Sequence, residues 1–396
     1  MISRLASFHN YQSVSNDIMR QQVRVQDTQS HLASGERVSS AGDDPLASVY
    51  IQNFHQQDKQ LDQYVEAITL ARNRQNREEI TLAEAEQLVD SAKRKTMAII
   101  NGSLSKEDRV AHRQDLEGLF DGFMNLVNTK DESGNFLFSG TKASTQPFYR
   151  DTQNNVRYVG DSYFRSAQVA PAVEIAVSDP GDKLFLEIDN PYGDYQPDYN
   201  LKEGSLLLIS NAVNTNDADN SQYNVSFKDN NGVMMAEVYQ NGSQVQSAPY
   251  DPQNGVQYNT LNVRFEGEML DGDSVDLTRQ DKVNPFDAFR KAIALTSKDN
   301  NDASANAELQ QATAEFTAAF KHLNKARSEV GSRLQTLDRQ DDMHKDYKLV
   351  LNKSLGTLED LDYSKAVIDL NENMVALQAS QQAFAKTKDL TLFNYI

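Results

Sequence analysis

Cysteine and tryptophan are both absent from the 396 residues. Without cysteine the chain has no disulfides, no cysteine-ligated zinc, no iron–sulfur cluster and no thiol catalysis. Long apolar runs are missing as well. No stretch approaches the roughly 20 apolar residues that cross a bilayer as a helix, so a chain embedded by such helices is excluded. Met1 to Asn10 lack the apolar core of about 7 to 15 residues that marks a secretory signal, and Sec export is not expected. Positive charge is scarce: 39 Lys+Arg stand against 57 Asp+Glu, for a net charge of −18. That field repels phosphate backbones and anionic bilayers, so neither nucleic acid nor a membrane is an expected partner. At about 100 to 200 residues per domain, the length allows two to four domains.

Proline and glycine are scarce in two long stretches. Neither occurs between Pro45 and Gly102, and from Phe286 to Ile396 there are only Gly331 and Gly356. Residues 146–283 hold seven of the nine prolines, nine of the eighteen glycines and ten of the sixteen tyrosines. Two helical flanks therefore enclose a different centre.

The flanks carry a seven-residue apolar repeat. Tyr11, Ile18, Val25 and Leu32 form a narrow stripe on a mostly polar helix. Phe54, Leu61, Ile68, Leu82 and Val89 keep the same interval with Gln75 as the polar member, and Leu309, Phe316, Leu323, Val330, Leu337, Leu351 and Leu358 do so around His344. Near the C-terminus, Tyr363, Val367, Leu370, Met374, Leu377, Gln381 and Phe384 alternate by four and three, a register expected to shift by a stutter near Asp362. The pattern predicts a long antiparallel coiled-coil-like rod built from the N- and C-terminal segments. The stripes at 54–89 and 309–351 read as an internal core. The terminal ones are narrow, glutamine-rich and at the chain ends, which suits burial against other subunits.

Local signals agree with helices there. Asp44-Pro45 and Asn284-Pro285 place a cap before a proline at the first helical position, and Ser105 with Asp108 resembles a capping box. The box opens a helix whose apolar face is Leu116, Phe120, Phe123 and Val127. Asn101-Gly102 stops the helix from Leu46 to about Ile100, roughly 80 Å at 1.5 Å per residue. The centre reads as β: an arm at Phe136-Leu137-Phe138, alternation from Val173 to Val177, a strand at Tyr223, Val225 and Phe227, and turns at Asn231-Gly232, Asn241-Gly242 and Asp271-Gly272. It holds 9 basic and 21 acidic residues, most of the chain's negative charge, which predicts a solvated outer part.

No pattern commits to catalysis. The histidines, at 9, 31, 55, 112, 322 and 344, include no i, i+4 pair for a metal. Asp43-Asp44 reads better as helix capping than as a catalytic pair. Asp217-Ala218-Asp219 and Asp229-Asn230-Asn231-Gly232 do not continue into a calcium loop. There is neither a phosphate loop nor a nucleophile elbow. No enzyme, cofactor or metal is expected.

The run Leu32-Ala33-Ser34-Gly35-Glu36-Arg37-Val38-Ser39-Ser40-Ala41-Gly42-Asp43-Asp44-Pro45 closely resembles the segment that links the first two helices in the flagellin superfamily. Pro45, the last five residues Leu392-Phe393-Asn394-Tyr395-Ile396, Asn101-Gly102-Ser103-Leu104-Ser105 and Asn135-Phe136-Leu137-Phe138-Ser139-Gly140 are more similar to its hook-associated junction branch than to flagellins proper. So is the stretch from Asp360-Leu361-Asp362-Tyr363 to Phe384-Ala385. The resemblance covers about 1–145 and 284–396; within the insert only Leu270-Asp271-Gly272-Asp273-Ser274 matches, loosely.

The resemblance implies three parts. Terminal helices, 1–44 with 356–396, form the inner layer of a tube and are disordered in the free monomer. A long-helix rod with a β-hairpin comprises 45–145 with 284–355, and 146–283 is a β-rich outer domain. It implies an extracellular adaptor at the hook–filament junction of a bacterial flagellum, exported by the flagellar type III apparatus without a cleaved signal. Implied partners are further copies in a ring, a neighbouring hook-associated protein on the cell side, flagellin on the distal side, and a cytosolic export chaperone. Assembly contacts are expected at Tyr11, Ile18, Val25, Leu32, Arg37, Asp43, Asp44, Tyr363, Val367, Leu370, Met374, Leu377 and Phe384. The alternatives are a minor flagellin of the filament itself, and a secreted enzyme or binding module housed in the insert.

Overall fold

The computed structural model describes residues 2–100, 104–298 and 302–389. The chain is mainly α with a β-rich insertion. Its described helices are α1 (Ile2–Ser34), α2 (Pro45–Ile100), α3 (Lys106–Leu126), α4 (Gly181–Phe185), α5 (Pro285–Leu295), α6 (Ala303–Glu359) and α7 (Tyr363–Asp389). Two compact units divide it, 1–66 with 340–396 and 67–339, so α2 and α6 each contribute to both.

In the second unit the buried positions of α2 alternate by three and four: Ile68, Ala71, Gln75, Glu78, Leu82, Ala85, Val89, Ala92, Thr96 and Ile99. The interval of seven in the sequence picks out only half of this seam, because the other half, Ala71, Glu78, Ala85, Ala92 and Ile99, is mostly alanine. On α6, Leu309, Ala312, Phe316, Ala319, Leu323, Ala326 and Val330 repeat the spacing. Arg327 reaches Glu79 at 2.9 Å and Glu86 at 2.8 Å, and Arg72 reaches Asp338 at 3.1 Å, which sets the two helices antiparallel. The expected internal core is present. The apolar face of α3 and the phenyl groups of α5 complete it: Phe123 lies 5.7 Å from Phe185, 5.3 Å from Phe286 and 5.8 Å from Phe289. The caps form as expected. Ser105 and Asp108 make a capping box, and Asn284 accepts the amide of Asp287 at 2.9 Å ahead of Pro285. Asn101-Gly102 and Leu392–Ile396 lie outside the described residues.

The insertion holds β1 (Phe148–Arg150), β2 (Val156–Tyr158), β3 (Arg165–Ala170), β4 (Val173–Ser178), β5 (Ile188–Asp189), β6 (Tyr195–Asn200), β7 (Leu208–Asn214), β8 (Tyr223–Asn230), β9 (Val233–Gln240), β10 (Ser243–Pro249), β11 (Val256–Tyr258), β12 (Leu261–Glu266), β13 (Ser274–Arg279) and β14 (Lys282–Val283). One sheet runs β10-β9-β8-β13-β6 and another β11-β12-β7, all antiparallel. Their inward residues, Tyr223, Val225, Phe227, Val263 and Val275 among them, share one core. Asn231-Gly232 and Asn241-Gly242 make the expected two-residue hairpins, with φ positive at all four residues. Asp271-Gly272 is a turn with Gly272 at φ 89°, but it joins strands of different sheets.

Two further expectations are corrected. Phe136-Leu137-Phe138 is no strand: Leu137 and Phe138 are fully buried in the helical core, and a single bridge from Lys130 to Phe136 replaces the hairpin. The shift near Asp362 is a break between α6 and α7, where Asp362 accepts the amides of Ser364 and Lys365 at 3.0 and 3.2 Å. His344 is buried and stacks on Tyr64, with ring centroids 5.5 Å apart.

Within 146–283 the chain serves three apolar clusters, one of them under the β3–β4 hairpin. Phe148, Leu184, Phe185 and Ile188 bury with α3 and α5, whereas β6 to β13 surround their own. The Asn190 amide donates to the Asp281 carbonyl at 2.9 Å, bringing those two residues side by side. Replacing 191–280 by a short Gly/Ser bridge is expected to leave a cooperatively unfolding helical core, since closing so small a gap costs little entropy. Removing 148–282 strips four large side chains from that core and is expected to unfold it. Circular dichroism melts of the two deletions check this.

Candidate assembly interface

The first unit is organised around the loop 35–44. Gly35 sits at φ 79°, in the left-handed region that ends a helix, and its carbonyl accepts the Leu361 amide at 2.9 Å. The Arg37 amide donates to the Glu359 carbonyl at 2.6 Å, and its guanidinium donates to the Leu358 carbonyl at 2.6 Å while lying 3.5 Å from Asp44. One carboxylate oxygen of Asp43 accepts from the amides and hydroxyls of both Ser39 and Ser40 at 2.8–3.3 Å. Asp44 accepts the Ala47 amide at 3.0 Å and so caps α2. These amides hold both carboxyls below the usual aspartate range, Asp43 chiefly through Ser40 and Asp44 chiefly through Ala47. Beneath the loop, Val38, Ala47, Ile51 and Leu355 form a small apolar cluster. Arg37 thus ties the loop to the end of α6 in its own chain, while Asp43 folds the loop on itself and Asp44 fastens it to the start of α2.

A Cβ on Gly35 would come 2.8 Å from the Tyr363 hydroxyl. Gly35→Ala is expected to destabilise the loop by about 1–2 kcal/mol from handedness alone. Faster proteolytic nicking near 35–44 would report it.

The terminal helices pair with each other, antiparallel. Tyr11 and Phe384 have ring centroids 4.9 Å apart, the Gln21 side-chain amide donates to the Asn373 carbonyl and Oδ1 at 3.1 Å each, and the Asn373 amide donates to the Thr28 hydroxyl at 3.4 Å. The half-buried residues that trace the seam of α1 are Val14, Ile18, Gln21, Val25, Thr28 and Leu32. On α7, Ala366 is buried and Leu370, Asn373, Leu377, Ser380 and Phe384 are half-buried at the same alternation of four and three. Three of the expected α7 residues lie elsewhere: Tyr363, Val367 and Met374 are 56%, 46% and 40% exposed. The expected stripe on α7 therefore splits. Leu370, Leu377 and Phe384 meet α1; the other three form a second, uncovered stripe. Apolar periodicity missed this because a third of the seam, Gln21, Thr28, Asn373 and Ser380, is polar. Asn373 and Ser380 face a partner carrying Gln21 and Thr28, and only the recurrence of such residues at intervals of seven could have marked them.

Among the described side chains none of α1 is fully buried, and on α7 only Ala366 is. More than half of the large exposed apolar side chains belong to the first unit, although it is the smaller one. Met343, Tyr347 and Val350 on α6 repeat the stripe pattern at i, i+4, i+7. Such a surface is built for packing rather than for chemistry. Among the described residues there is no group of three or more potential metal ligands, and no helix is long and apolar enough to cross a membrane.

Comparison with known proteins gives matches at both ends. The family described as the bacterial flagellin N-terminal helical region matches residues 7–143, and the bacterial flagellin C-terminal helical region matches 313–396. Flagellar hook-associated protein 3 of Escherichia coli (strain K12) is 24% identical over 383 residues, 97% of this chain and 96% of that protein. Flagellin C of Vibrio anguillarum is 21% identical over 378 residues, 90% of this chain and 89% of its own. The crystal structure of flagellar hook associated protein-3 from Legionella pneumophila superposes with a TM-score of 0.69 at 23% identity, covering 78% of this chain and 98% of that one, which shows the fold.

Proposed function

Because the chain belongs to the bacterial flagellin family, we propose that it is a structural subunit of the flagellum which joins the hook to the filament by subunit packing, without catalysis. The observation that carries this reading is the alignment of nearly the whole chain, insertion included, with hook-associated protein 3, whereas the flagellin match is weaker and shorter. The uncovered stripe of Tyr363, Val367 and Met374 supplies the dry surface such a joint needs. Its partners are further copies in a ring, a hook-associated protein towards the cell, flagellin on the distal side, and an export chaperone in the cytosol. The protein leaves the cell through the flagellar type III apparatus. The three-part division expected from the resemblance, terminal helices innermost and the β-rich part of 146–283 outermost, suits this role.

Immunogold labelling of intact flagella tests the reading: one band between hook and filament is expected, and label along the filament would mean a minor flagellin. In the free monomer the α1–α7 pair is expected to be ordered little, since a half-buried, one-third polar seam with one buried alanine does not offset roughly 1–2 kcal/mol of backbone entropy per residue. Limited proteolysis should trim 1–34 and the region beyond 362 first. Ends as resistant as 67–100 would count against it.

A further inference from the structure

The hairpin of β3 and β4 seats on one face of α2, where Ile68, Ala71, Gln75 and Glu78 succeed one another by three and four. Val169, Ile175 and Val177 pack on Ile68, Ala71 and on Leu337 of α6. The two polar members fasten the end of β4. The Gln75 amide donates to the Ala176 carbonyl at 2.9 Å, and Glu78 accepts the Asp179 amide at 3.0 Å. Glu78 has no solvent exposure, and its second carboxylate oxygen has no hydrogen-bond partner. An ionised carboxylate so placed carries an uncompensated desolvation cost.

The surrounding charges relieve it only in part. From the segment after β4 the nearest is Asp179, a second acid. From α6 it is Arg333, whose guanidinium is engaged by both oxygens of Asp179, with Glu329 on the same helix. From β3 it is Arg165, which donates to Ser178 at 3.0 Å and to the carbonyls of Phe136 and Leu137 at 3.0 and 2.9 Å. Arg74, on α2 itself, pairs with Asp131. Burial first, and the Asp179 charge second, raise the carboxyl of Glu78 well above the ordinary glutamate range.

We propose that Glu78 is a proton-operated latch: in its acid form it lets the 165–178 hairpin seat on α2 and α6, and on ionising it releases that seat to water. An open groove lined by Glu174, Ile175, Ala176, Ser332 and Arg333 borders the seat between β4 and α6. In the unfolded chain Glu78 ionises near the ordinary value of about 4.3. Its contribution to the seat is complete below that pH and is lost as pH rises towards the raised value in the folded chain. Between the two, opening becomes up to tenfold easier per pH unit, the signature of one proton. Glu308 and Glu315, also raised by burial, act with the same sign but lie in the part of α6 that faces β6, away from this hairpin.

Amide hydrogen exchange of β3 and β4 between pH 5 and 9, corrected for intrinsic rates, tests the latch in the full chain. Wild type should lose protection there with rising pH, Glu78→Gln should flatten that slope, and Glu315→Gln should keep it. Equal slopes in wild type and Glu78→Gln would overturn the proposal. Should Glu78→Gln fold poorly, carbon-13 glutamate labelling of the wild type decides: the Glu78 carboxyl, identified by its contact with the Asp179 amide, should ionise at clearly higher pH than the exposed glutamates, and ionisation in the ordinary range would sink the idea.

Discussion

Met374→Asp is expected to abolish the joint between hook and filament while leaving the monomer folded as before. Met374 lies outside the α1–α7 seam and is 40% exposed, so the monomer loses little when it becomes charged. In a dry contact between subunits an unpaired carboxylate costs about 3–5 kcal/mol, roughly a hundred- to several-thousandfold in each contact. Cells carrying the variant should build hooks, lack filaments and shed flagellin into the medium, while the purified monomer melts like wild type. Val367→Asp should behave alike. Leu377→Asp should also stop assembly but additionally unpair α7 from α1, because Leu377 lies on the seam; its monomer should be trimmed faster by protease. Normal filaments in the Met374 variant would place the subunit contacts on another face.

Phe123→Ala is expected to be the most destabilising single change in the second unit. The ring is fully buried and touches Phe185, Phe286 and Phe289, which come from α4 and α5. Removing it costs about 3–5 kcal/mol, from lost transfer energy and the cavity left behind. The urea midpoint of this unit should fall accordingly, whereas Phe123→Leu, nearer in volume, should lose under about 1.5 kcal/mol. An unchanged midpoint for the alanine variant would mean that the four rings are not one cooperative core.

Much of this molecule was open to a reading along the chain. The caps at Asp44, Ser105 and Asn284, the hairpins at Asn231-Gly232 and Asn241-Gly242, and the strand at 173–177 each form where expected. Each depends on a few neighbouring residues, such as a side-chain oxygen reaching an amide three positions on, or a positive φ that asparagine and glycine tolerate. The long seams were legible for a similar reason, since one helix face repeats whatever it packs against.

Other features depend on partners distant in sequence. Phe136 to Phe138 read locally as a strand, and the choice between strand and core anchor was made by the helical core, where Leu137 and Phe138 bury and Phe138 meets Phe185 of α4 at 5.2 Å. Asp43 and Asp44 could be read locally as caps, but Arg37's hold on Leu358, more than three hundred residues away, could not. The α7 stripe shows the division most clearly. Its sequence establishes that an apolar stripe exists, because spacings of three and four survive any packing, but not that the stripe divides into two rows. Which row meets α1 was decided by the polar match of Gln21 and Thr28 to Asn373, whose hydrogen bonds require that face to be turned inward. Tyr363, Val367 and Met374 are left outside by that rotation, a consequence of pairing between two helices that no single helix encodes.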